Sequence, residues 1–167
     1  MLAAIATVAT ALLFQSGPSL ALDVDAGDYT ALPPGTDLAA IYYQPVTRDE
    51  LYADGDKAPI NAGLDSHIGL ARYIHFMEIG GYTVDPQVIL PFGKLDGKDD
   101  TSFLGDASGI GDVILAATVW LVNKPETSTY FGITPFVIAP TGSYDNEDAL
   151  NVGENRWQYL LQAGYIT

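Results

Sequence analysis

The chain has 167 residues, no cysteine, and 21 acidic against 7 basic side chains, for a net charge of −14. That length suffices for one domain, the charge argues against a nucleic-acid partner, whose phosphates favour basic surfaces, and the missing cysteines exclude a disulfide framework. Seventeen Gly and ten Tyr beside two Met suit strands and turns better than a helical bundle. No run beyond residue 21 is long and apolar enough for a spanning helix, so a membrane role would require a β-barrel.

Residues 1–21 form an apolar run without a charged side chain, broken at Gly17-Pro18, with small Ser19 and Ala21 at its end and Asp23, Asp25 and Asp28 after it. This predicts an export signal peptide, although a basic start is missing. A transmembrane helix is the rival reading, but the run is short and interrupted. Residues 22–36, acidic and holding Pro33, Pro34 and Gly35, read as an extended lead-in.

From residue 37 onward the pattern predicts six strands, over 37–44, 63–76, 81–91, 113–122, 128–140 and 156–167. In the second, Leu64, Ile68, Leu70, Ile74 and Phe76 share one face, with Asp65, His67, Tyr73 and His75 on the other. In the third, Tyr82, Val84, Val88 and Leu90 oppose Thr83, Asp85 and Gln87; in the last, Trp157, Tyr159, Leu161, Ala163 and Tyr165 oppose Arg156, Gln158 and Gln162. The connections alternate: long and charged at 45–61, 92–108 and 141–155, short at 77–80 and 123–127. In a meander, alternate connections lie at the same end. This sorting is the asymmetry of an outer-membrane barrel, and a soluble sandwich has no reason to adopt it.

The expected fold is therefore all-β: an antiparallel up-and-down transmembrane β-barrel over 37–167, its fatty face toward lipid and its polar face toward a wet lumen. Only six charged residues fall in or directly beside the expected strands, namely Asp37, Asp65, Arg72, Asp85, Asp112 and Arg156, and all but Arg72 lie opposite the fatty face. The side chains expected to face the lumen are Asp65, His67, Tyr73, His75, Asp85, Gln87, Asp112, Tyr130, Phe136, Arg156, Gln158 and Gln162. Among them Tyr73, Tyr130 and Phe136, with Ile89 and Ile114, offer an apolar slide or simply fill a narrow barrel. Six strands fall short of the eight of the smallest closed barrels, which predicts that these residues are the N-terminal part of a longer barrel; a small barrel with strands hidden in the lead-in and a loop is the alternative.

Ser-Gly-Ile-Gly-Asp at 108–112, the strand ending Trp120-Leu121, Thr134-Pro135-Phe136, Ala139-Pro140-Thr141-Gly142 and Trp157-Gln158-Tyr159, together with the acidic lead-in and Tyr42-Tyr43, resemble the outer-membrane transporter-like family described as a "putative meta-pathway of phenol degradation". The resemblance implies an outer-membrane barrel passing small hydrophobic or aromatic compounds. The expected partners are outer-membrane lipid and lipopolysaccharide, which an acidic outer loop such as Asp145, Glu147 and Asp148 would meet through divalent ions. The family has no agreed catalytic set, so the resemblance assigns no catalytic residue.

No other chemistry competes. Gly109, Gly111 and Asp112 lack the third glycine and the helix of a dinucleotide site and read as strand-entry residues. Asp96, Asp99 and Asp100, or Asp145, Glu147 and Asp148, offer oxygen ligands without calcium-loop spacing and read as solvated loops. His67 and His75 are too far apart along one strand to share a metal. No Ser-His-Asp or Cys-His arrangement is present, so the expectation is no enzyme, no metal and no cofactor. A non-transport barrel, either a membrane anchor or a soluble lipocalin-like carrier, is the competing reading.

Overall fold

The computed structural model describes residues 29–53 and 55–167. The export signal expected over 1–21, and the first part of the lead-in, lie outside the described residues. The elements are β1 (Asp37–Arg48), β2 (Tyr52–Ala53), β3 (Asp56–Lys57), β4 (Ala62–His75), β5 (Met77–Ile79), β6 (Tyr82–Asp99), β7 (Asp106–Ile110), β8 (Val113–Lys124), β9 (Thr129–Ala139) and β10 (Gln158–Ile166). Six of them form one antiparallel sheet in the order β1-β4-β6-β8-β9-β10, with β5 and β7 pairing β6 at its two ends. The sheet is open, with β1 and β10 at its edges. No helix among the described residues is long and apolar enough to cross a membrane.

The alternation of connections is as the sequence predicts. β5 turns into β6 through Gly80 and Gly81, both at positive φ, a conformation glycine adopts without steric cost. β8 passes to β9 through a short 3-10 turn over Pro125–Thr127. The three long connections lie at the opposite end. The first of them contains the β2–β3 ribbon, held by Lys57 and Tyr52, which both donate to Glu50; these bonds hold the Glu50 carboxyl below its ordinary range.

One boundary differs markedly. The segment 92–108, expected as a charged loop, is largely strand: β6 continues to Asp99, pairing β4 as far as Asp99 opposite Ala62 and β7 from Phe92 opposite Ile110. The charges that suggested a loop, Lys94, Asp96 and Lys98, alternate with Gly93, Leu95 and Gly97. That is a period of two, as a strand with one polar face requires.

In antiparallel pairs, directly opposed residues point to the same side, so the register assigns every side chain to a face. One face carries Arg72, Ile89, Ile114, Ile138 and Gln158 along one ladder row. The described end of the lead-in lies on this side: Tyr29 and Ala31 are buried with Trp120 and Tyr130, and Ile166 packs against them. We call it the covered face. The other, the bare face, exposes Ile41, Tyr43, Tyr73, Val88, Phe92, Leu115, Leu121, Tyr159, Leu161 and Tyr165. The three most exposed, Ile41 at 80% and Tyr159 and Leu161 at 74%, sit on the edge strands.

Candidate functional site

The covered face is built in storeys. Nearest the long loops is an apolar cluster of Ile89, Ile114, Ala116 and Phe136, with Leu70 and Ile138 against it. Below it, toward the short turns, lies a polar row. Asp85 is 2% exposed and its carboxylate accepts three hydrogen bonds: from Gln87 Nε2 at 2.9 Å, from the Thr118 backbone N–H at 3.0 Å, and from Trp120 Nε1 at 2.7 Å. Thr134 Oγ1 lies 3.0 Å from Thr118 Oγ1, and Gln87 Nε2 also reaches Thr118 at 3.3 Å. Gln87 Oε1 in turn accepts from Arg72 Nε and Nη2 at 3.0 and 2.8 Å. Buried polar groups must be paired, and this network pairs side chains from β4, β6, β8 and β9.

The backbone of β8 makes room for the network. Its register with β9 pairs Ala116 with Phe136 and Val119 with Ile133, then shifts between Trp120 and Val122. That extra residue is a β-bulge, which bends and twists a strand locally. It keeps Trp120 on the covered face beside Asn123, with Leu121 exposed on the bare one.

Tyr29 closes the storey below. Its ring meets Trp120 edge-on at 5.1 Å between centroids, and its hydroxyl donates to the Gly132 carbonyl at 2.9 Å and lies 3.2 Å from Thr134 Oγ1. The lead-in thus reaches β8, β9 and β10, then returns to begin β1 at the far edge. Gly164 is what admits the ring: a Cβ there would stand 2.3 Å from Tyr29 Cε1. Gly164→Val is therefore expected to displace Tyr29. In a Trp157→Phe background, Trp120 emission should shift red and the lead-in should become sensitive to protease; unchanged emission would contradict this packing.

The twelve side chains expected on one lumen face divide. Asp85, Gln87, Tyr130, Phe136, Gln158 and Gln162 share the covered face. Asp65, His67, Tyr73 and His75 are on the bare face, since His67 pairs with Lys94 and Tyr73 with Val88. The assignment of β4 is thus inverted. Its aliphatic residues Leu70 and Ile74 turn to the covered face, where Leu70 joins the apolar cluster. Arg72, the apparent exception, goes with them and finds Gln87. Tyr73 and His75 instead bond the Asp37 carboxylate, at 2.6 and 2.7 Å.

Asp112 and Arg156 belong to neither strand face. Arg156 is in the long loop, exposed, bonded to Glu154 at 2.8 Å. Asp112 is 6% exposed between β7 and β8 and accepts the backbone N–H groups of Thr141 at 3.0 Å, Gly142 at 2.8 Å and Glu154 at 2.8 Å. Thr141 Oγ1 accepts from the Val113 N–H in return. Gly142 has no room for a side chain: a Cβ would stand 2.7 Å from Gly111 C and 2.8 Å from Gly153 Cα. Asp112 therefore anchors both ends of the 140–157 loop to the start of β8. Between that loop and β7 lies a cavity of about 410 Å3 bordered by Asp106, Ser108, Ser143, Tyr144, Asp145 and Asn151. Among the described residues no group of three or more His, Asp or Glu side chains is placed to hold a metal ion.

Comparison with solved structures finds this fold in an outer membrane channel from Pseudomonas putida F1, at 42% identity and a TM-score of 0.82 over 87% of the present chain. The chain spans 54% of that channel's length. No protein with a curated description matches it at a significant level. The family model described as "Putative MetA-pathway of phenol degradation" matches residues 47–167, and the chain belongs to that family.

Proposed function

We propose that the chain forms part of the wall of an outer-membrane β-barrel channel for passive entry of small hydrophobic or aromatic compounds, with residues 1–21 as its export signal. The covered face is the lumen, and the bare face meets lipid. One observation carries this reading: the sheet exposes large apolar side chains on five of its six long strands on one face, and buries a hydrogen-bonded polar row on the other. A soluble carrier would be built the opposite way, with its apolar side chains inside. Such a broad exposed apolar surface is foreign to soluble monomers.

The dimensions agree. On the bare face of β6 the apolar zone runs from Tyr82 to Phe92. At about 3.4 Å per residue that is roughly 34 Å along the strand, and at a tilt of about 40° it rises about 26 Å, close to the ~25 Å apolar band of outer-membrane barrels. Tyr82 and Tyr165 mark the short-turn end, Tyr43, Phe92 and Tyr159 the loop end, where aromatic girdles form. The 42% identity to an outer membrane channel and the family's phenol-degradation description support the substrate class. Passage through the apolar cluster around Phe136 needs no cofactor and no catalytic group. The partners of the barrel are the lipids of the outer membrane, including lipopolysaccharide.

Two measurements test this. The protein should be recovered with outer membranes and require detergent for extraction; recovery in a periplasmic wash would refute the channel. Leu115→Arg puts a guanidinium on the bare face mid-strand and should lower barrel stability by about 2–4 kcal/mol, whereas Gln162→Lys on the covered face should leave the urea midpoint nearly unchanged. Equal tolerance at both positions would overturn the assignment of the faces.

A further inference from the structure

Beyond Phe92 the bare face changes in ordered rows. The Phe92 ring lies over Gly69, where a Cβ would meet it at 2.4 Å, and Tyr43 pairs with the same glycine. Two residues further along, His67, Lys94 and Ser108 stand opposite one another on β4, β6 and β7. Two further still come Asp65, Asp96 and Asp106, and then Lys98 opposite Gly63. The face thus passes from hydrocarbon-compatible side chains to a row of nitrogen and hydroxyl groups, and only then to carboxylates.

The interactions within these rows separate the two lysines. Lys98 Nζ lies 3.0 Å from Asp96 and 3.6 Å from Asp65, so its charge is engaged by the carboxylate row. Lys94 Nζ forms only long ion pairs, 3.9 Å from both Asp96 and Asp106 and beyond hydrogen-bond distance, with its side chain 49% exposed. His67 bonds Tyr43 OH through Nδ1 at 2.8 Å and stacks on that ring, which leaves Nε2 as its other hydrogen-bonding atom.

We propose that the row of Lys94, Ser108 and His67 is a docking site for a phosphate of lipopolysaccharide in the outer leaflet. The inference rests on the bare face meeting lipid. Along the strand the row lies about 7 Å past Phe92, which on that reading is headgroup depth. A lysine is costly within the apolar band but meets an anionic phosphate there. The ordering gives the chemistry: the cation and neutral donors lie next to the hydrocarbon, where lipid A carries its phosphates, and the carboxylates are set one row away with Lys98 between them. Neutral headgroups would have no use for that order.

The test uses protein purified from outer membranes, with native mass spectrometry to titrate lipid A and, separately, dephosphorylated lipid A. Wild type should prefer the phosphorylated lipid, and Lys94→Ala should weaken lipid A binding about fivefold while leaving the dephosphorylated lipid unchanged. Equal binding of the two lipids, or equal lipid A affinity in wild type and Lys94→Ala, would overturn the site. Fractionation of the same cells before purification reports whether the barrel is inserted, through detergent-dependent extraction and the heat-sensitive mobility of a folded barrel. Insertion with unaltered lipid A affinity removes only the docking site; wild-type protein that never inserts removes the lipid-facing reading beneath it.

Discussion

Asp112→Ala should detach the 140–157 loop. Three backbone N–H groups lose their acceptor at once, at Thr141, Gly142 and Glu154. Hydrogen bonds to a charged acceptor are worth about 1.5–3 kcal/mol each, and a buried donor left unpaired adds its own penalty. Because the freed loop can reach water, the net loss should be nearer 3 kcal/mol than the sum. External protease on intact cells should then cut within 143–152, where the wild type resists, and the urea midpoint should fall. Asp112→Asn keeps one oxygen for Thr141 and Gly142 but presents an amide to the Glu154 N–H, so it should lie between the two. A loop as resistant in the alanine variant as in wild type would show that the glycine packing of Gly111, Gly142 and Gly153 holds it without the carboxylate.

Asp85→Ala should be at least as damaging, and here water cannot readily substitute. The substitution strands the Trp120 indole N–H and the Thr118 backbone N–H beneath Tyr29 and deprives Gln87 Nε2 of its shorter contact. Removing one member of a buried charged network typically costs about 3–5 kcal/mol. Urea unfolding followed by far-ultraviolet circular dichroism should show that loss. The double variant Asp85→Ala with Trp120→Phe should lose less than the two single changes added together, since each removes part of the same bond. Strict additivity would mean that the indole and the carboxylate are not coupled.

Much of the architecture could be read before any coordinates, for identifiable reasons. Loop sorting depends on the spacing of turns, not on strand ends, so it survived an error of eight residues in β6. The faces of β6 and β10 were legible because polar and apolar residues alternate along them. β4 was not, since aliphatic and polar residues occur in both registers: Leu70, Arg72 and Ile74 on one side, Asp65, His67 and Tyr73 on the other. Only pairing to Ile89 and Gln87 decides between them. The distal part of β6 was hidden because a strand standing in water is charged on one side and rich in glycine on the other, which resembles a loop. Asp112 was noticed in its Gly-x-Gly-Asp setting, but its partners lie 29 to 42 residues away, and backbone donors leave no mark in a sequence. Tyr29 was missed for a similar reason: beside Trp120 and Thr134, its receiving surface depends on Gly132 and Gly164, two small residues on strands that look unremarkable alone.

The length of β6 has a consequence for the approach to the channel proposed above. From Phe92 to Asp99 the strand runs on for about 24 Å, still paired to β4 and flanked by β7. At a barrel's tilt this carries it roughly 18 Å above the hydrocarbon. In the proposed barrel, one side of the mouth would thus stand up as a parapet of paired strands. On the channel reading proposed above, a solute would meet this ridge before the pore and come in past its lower side.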